Sequence, residues 1–173
     1  MRHFHALMLA AAGAFGAAQA AEPAPQSAPQ SAAQSAAQSA AQPAVTYDAA
    51  LAQRTGADEH GMRRYVLVIL RTGPTPVKDA DARKAMFAGH MANIQRLAKD
   101  GKLALAGPFG DAGGDWRGLF VFATADIEEA KALVATDPVI QQGEMVAEYH
   151  SWYGSAAIML TGELHEKVAR KAF

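Results

Sequence analysis

An imidazole stands where a leucine would normally be. Met86, His90, Ile94 and Leu97 recur at the spacing that builds the apolar stripe of a helix, so His90 occupies a core-facing position. Imidazole is the side chain best suited to move protons near neutral pH, and that is the chemistry such a placement suggests. The plainer reading is a core histidine satisfied by one hydrogen bond. Arg83 lies seven residues earlier, which returns to within about 20° of the same helix face. An Arg and a His together on a sheet-facing side are costly to bury unless they border a wet cavity or meet an acid. Arg83 is therefore a candidate anchor for a polar substrate group.

The remaining chemistry-bearing residues form no stronger pattern. His60, His90, His150 and His165 lack metal-ligand spacing, and the chain has no cysteine, so a metal centre, a disulfide and a thiol nucleophile are not expected. No Ser-His-Asp signature is present. The segment "GPFGDAGG" (107–114) matches neither a Walker loop nor a dinucleotide fingerprint, and it joins two strands rather than opening a helix. It reads as a hairpin loop at a pocket mouth, with Asp111 and Asp115 as solvent-facing turn formers. His150 and Trp152 share parity on the last strand, with Trp152 a core candidate. His60 and His165 sit among polar residues and read as solvated. Asp137 precedes Pro138, where its ordinary role is that of a turn or cap residue. No cofactor is implied.

The elements that must hold these residues are legible from pattern. "YVLVIL" (65–70) is an apolar, β-branched run closed by a Gly/Pro turn, a strand buried on both faces. A helix spans 78–102, capped by Asp79 or Asp81 and ended by Gly101 in the left-handed conformation. "LALAG" (103–107) and "LFVFAT" (119–124) make a long hairpin. A second helix starts at Asp126, with Glu129 completing a capping box, and Asp137-Pro138 breaks it. Residues 143–154 alternate as a fourth strand, and the tail from 156 onward adds a helical segment. The order β-α-β-β-α-β is the ferredoxin-like arrangement, an α+β fold. Two helices cover only one face of such a sheet, and the other face is apolar too. A second copy packed against it, giving a homodimer, is the expected remedy.

Upstream, Arg2 and His3 precede the apolar run "ALMLAAAGAFGAA", followed by Ala18-Gln19-Ala20, a small-x-small cleavage pattern. Residues 1–20 read as a secretory signal, taking His3 and His5 with it. The apolar run is too short for a convincing span, so no stable membrane span is expected after cleavage. A periplasmic or secreted location follows. Residues 21–44 repeat Gln, Ser, Ala and Pro without an aromatic and read as a disordered linker. Residues 45–63 form an arm, a short helix or irregular segment. Formal net charge is −1, from 16 basic and 17 acidic residues, which advertises no surface for nucleic acid.

From Arg64 to about 155, the chain resembles the YciI-like (YCII-related) proteins. The resemblance rests on "YVLVIL", "GHMANIQRLAKDGKL", "ALAGPFGD", "RGLFVF", "DIEEAKALVATDPVIQQG" and a strand ending in "WYG". It implies a domain over 64–155, a dimeric α+β barrel and a catalytic pair. A His on the first helix and an Asp near the end of the second are the family's proposed partners, and His90 and Asp137 stand in those places. A related dehydrochlorinase of aromatic breakdown and isomerases of similar fold imply proton transfer on a small molecule, as a lyase or isomerase. The alternative is a non-catalytic small-ligand-binding or accessory domain. The expected geometry places His90 beside a cavity between helix and sheet, open near the 107–118 loop, with Asp137 bonded to one ring nitrogen.

Overall fold

The computed structural model of the protein describes residues 46–110 and 113–171. The signal and linker expectations, and the turn role expected of Asp111, lie outside them. Helix α1 (Ala49–Thr55) is capped by Asp48, whose carboxylate accepts from the Leu51 N–H. Strand β1 (Met62–Thr72) follows, then helix α2 (Ala80–Lys99), strands β2 (Leu103–Pro108) and β3 (Trp116–Phe122), helix α3 (Ile127–Val134) and helix α4 (Pro138–Gln141). Strand β4 (Met145–Ser155) leads into a 3-10 turn (Ala156–Leu160) and helix α5 (Thr161–Val168). The sheet is antiparallel with the order β2-β3-β1-β4, the ferredoxin-like topology.

Local chemistry accounts for most of these boundaries. Asp79 caps α2 by accepting from the Ala82 N–H at 2.8 Å, and Gly101 takes a φ of 68° after the helix ends. Strand β1 runs well past the apolar hexapeptide because all of Met62–Thr72 is laddered against Ser155–Met145 of β4. Likewise β3 begins at Trp116, three residues before the expected start, because Trp116 already pairs with Arg71. The capping box at α3 takes another form. Asp126 accepts from the Glu128 N–H, while Glu129 accepts from the Thr124 hydroxyl and from Lys102. Thr124 in turn accepts from the Asp126 N–H, the bond Glu129 would otherwise make.

The main core lies between the helices and one sheet face, built on Val66, Val68, Leu70, Phe120 and Phe122 beneath Met86, Leu97 and Val134. The stripe of α2 buries Met86 and Leu97 as expected and half-buries His90 and Ile94, but it also buries Asn93. Tyr65, Ala104 and Val121 lie on the opposite face, and the chain covers them itself. Ile158 and Met159 of the 3-10 turn pack there with Trp152. The Arg54–Glu163 ion pair ties α1 to α5 at 3.0 Å. That face is therefore not bare, which removes part of the argument for a second copy. Its far end, with Trp116 at 50% and Val146 at 43% exposure, stays open.

Candidate functional site

The turn "TDPV" (136–139) does two jobs at once. Asp137 ends the segment after α3 and is the N-cap of α4, where its Oδ1 accepts from the Val139 N–H at 3.1 Å. Pro138 at the first helical position has the φ that position needs and lacks only an N–H that would go unused. Pro138 thus stops one helix and starts another. The carboxylate of Asp137, fully buried, then meets the imidazole of His90 across the gap between α4 and α2. His90 Nδ1 lies 2.9 Å from Oδ1 and 2.8 Å from Oδ2.

A carboxylate only accepts, so Nδ1 carries the hydrogen, and the neutral ring presents an Nε2 lone pair; this tautomer is assigned from the bonding pattern. The ring stacks at 28° to Phe120 and meets Phe87 edge-on, both with centroids 6.0 Å away. No buried side-chain nitrogen or oxygen lacks a hydrogen-bond partner among the described residues. Nε2 makes none of the contacts above, and the side chain that carries it is 12% exposed. The arrangement is an oriented proton acceptor or donor set in an aromatic frame.

Arg83 is placed elsewhere on the same stripe. Its Nη2 donates to Glu144 Oε1 at 2.9 Å, and its guanidinium lies 4.7 Å from the Phe87 ring centroid. Phe87 connects it to His90. A cavity of about 240 Å³ opens here, lined by Ala80, Arg83, Lys84 and Phe87. It lies at the N-terminal half of α2, and neither His90 nor any residue of the 107–118 loop lines it, so the expected cavity bordering His90 and open near that loop is not the one found here. A larger one of about 490 Å³, lined by residues that include Arg63, Arg64 and Tyr153, lies apart from His90.

Other candidates are dispersed. His150 is exposed on the sheet face away from the helices, paired with Leu67, and Trp152 is half-buried there against Tyr65. His60 is exposed beside Glu59, and His165 is exposed on α5. Asp115 is exposed and shares the Arg71 guanidinium with Glu148. No group of three or more His, Asp or Glu is arranged to hold a metal ion among the described residues. No described helix is long and apolar enough to cross a membrane.

Sequence reasoning passed over Glu144, which is buried, accepts from the Val77 N–H at 2.8 Å and pairs with Arg83. The Val77 amide, with the Arg83 guanidinium adding to it, holds this carboxyl below its ordinary value of 4.5 against the opposing effect of burial. A depressed value in the folded state means stability that is fully present above 4.5 and lost as pH falls through the folded value. Urea titrations from neutral pH downward are expected to show stability falling below about pH 4.5. Glu144→Gln should flatten that fall. An unchanged slope in the variant would remove Glu144 as its source.

The fold and the oriented His-Asp pair place the chain among ferredoxin-like α+β domains. It belongs to the YCII-related domain family, whose sequence model matches residues 64–152. No curated protein matches. Among solved structures, the chain is similar to a 5-chloro-2-hydroxyhydroquinone dehydrochlorinase from Burkholderia phenoliruptrix in complex with 2,5-dihydroxybenzoquinone. Identity is 23%, the TM-score is 0.37, and the match covers 50% of this chain and 92% of that one.

Proposed function

We propose that this chain is an exported lyase or isomerase of a small molecule, with His90 as the proton-transfer group and Asp137 as its orienting partner. One observation carries the reading: a fully buried carboxylate holds His90 Nδ1 at 2.8 and 2.9 Å, which leaves Nε2 of a 12% exposed side chain as the nitrogen free for chemistry. In the forward step Nε2 takes a proton from a substrate carbon, and the C–H electron pair forms a new π bond. In a lyase the leaving group departs with its bonding pair; in an isomerase the proton is returned at another carbon. Arg83, on the wall of the adjoining groove and 43% exposed, anchors a polar end of the substrate while Glu144 holds its other side. The pattern of residues 1–20 supports export to the periplasm or beyond. The open end of the second sheet face at Trp116 and Val146 supports a homodimer.

A binding module without turnover is the second reading, favoured by the tight packing of the His90 ring between Phe87 and Phe120. A thermal-shift screen of small aromatic acids, lactones and quinols separates the two, since stabilisation grows with ligand concentration over Kd. The enzyme should consume its hit, and His90→Gln should cut turnover by about 100-fold or more. A hit that persists unchanged in solution establishes the binding module.

A further inference from the structure

We propose that Asn93 is a positioning residue for the His90–Asp137 pair, acting through Thr136. The inference rests on reading that pair as a proton-transfer device and concerns what sets its geometry. One turn of α2 beyond His90, Asn93 is 8% exposed, an amide on the core-facing side of a helix. Its Oδ1 accepts from Arg96 Nη2 at 2.6 Å and lies 3.0 Å from the Thr136 hydroxyl. That hydroxyl also accepts from Arg96 Nη2 at 3.1 Å, and its single hydrogen is shared between Asn93 Oδ1 and the Leu133 carbonyl, 2.6 Å away. Three polar groups from α2 and the turn after α3 thus close on one another.

Thr136 is bonded through the chain to Asp137, so the cluster fixes where the carboxylate arrives. Two successive residues of the turn engage two residues of α2 spaced three apart: Thr136 meets Asn93, and Asp137 meets His90. Pro138 seats on the same helix at Gly89, where an added Cβ would lie 3.0 Å from its Cγ. A carboxylate presenting both oxygens to one ring nitrogen at nearly equal distances tolerates little sliding of the turn along the helix. Asn93 is also a costly residue to bury unless its amide is used.

The test reads the tautomer of His90 directly, by long-range proton–nitrogen correlation on the ¹⁵N-labelled full chain, with the His90 signals assigned by His90→Gln. The native chain should show the Nδ1-protonated form. Asn93→Leu should raise the minor tautomer of His90 by about fivefold, the change that follows from losing roughly one hydrogen bond's worth of preference. Thr136→Val, at an exposed position and of the same shape, should do the same should Asn93→Leu fail to fold, and Thr136→Ser should restore the native ratio. A merely structural amide would lower the melting temperature and leave the ratio alone. An unaltered tautomer in folded Asn93→Leu or Thr136→Val overturns the proposal. The readout uses no substrate, so an unaltered tautomer ratio tells against Asn93 alone, whereas failure to find turnover tells against the enzymatic reading on which its positioning role rests.

Discussion

Asp137→Ala is expected to cost the fold about 2–4 kcal/mol, read from urea unfolding at neutral pH. The sum follows from two losses at a fully buried carboxylate. The cap on α4 is worth about 1 kcal/mol. Leaving the His90 Nδ1–H without its partner in a side chain 12% exposed adds about 1–3 kcal/mol. Asp137→Asn should cost less, because one amide oxygen in the place of Oδ1 keeps both the Val139 N–H and the near contact to Nδ1. Its NH2 group would then face the Nδ1–H, donor against donor, at the present 2.8 Å position of Oδ2. The order Ala worse than Asn is the informative part. A loss below about 1 kcal/mol for Ala would mean that neither the cap nor the imidazole bond contributes as argued.

Gly73→Ala is expected to be as damaging, for a reason that involves no side chain of its own. Gly73 follows β1, and its N–H donates to the Glu144 carbonyl at 2.8 Å. A Cβ there would fall 2.1 Å from the Gly143 carbonyl oxygen and 2.8 Å from both Glu144 C and Met145 N. All three are backbone atoms, so nothing can rotate aside, and the start of β4 must move. A cost of about 3 kcal/mol or more is expected from overpacking of this kind. Gly107→Ala is the control. Nothing lies within 4 Å of the added methyl, and stability should stay within about 0.5 kcal/mol. Equal behaviour of the two variants in urea would contradict the account.

Much of the fold could be read from the chain because local signals and tertiary needs agree. Asp79 and Gly101 bracket α2 as their conformations require, and the apolar runs of β1 and β3 occupy the centre of the sheet. Strand ends were not legible, since Arg64, Arg71 and Trp116 become strand only through partners far along the chain. Pro138 reads as a stop, yet the proline ring fits the first turn of a helix as well as it ends one, and only packing chooses. The 3-10 turn covering Tyr65 carries no strong periodicity, so the second sheet face looked barer than it is.

The site divides in the same way. His90 stands out because it breaks an apolar stripe, and that can be seen within one helix. Asp137 lies 47 residues away, and only family resemblance joined it to His90. Asn93 carries a weaker signal of the same kind: it is seven residues from Met86 and so shares its face. Glu144 had none, because a lone acidic residue at the start of an alternating strand looks like surface until the Val77 amide and Arg83 are seen to converge on it.

The two described ends of the chain are joined by the Arg54–Glu163 pair, and the 3-10 turn beside them lies against the sheet face opposite His90. Seen as wiring, the domain has its input and output leads on one side and the His90–Asp137 pair on the other. A fusion partner, label or immobilising linker attached through the 3-10 turn's face would leave the helix-covered face clear. The polarity is set by the covering turn itself, so the same short segment that shields Tyr65 also gives the domain a back and a front.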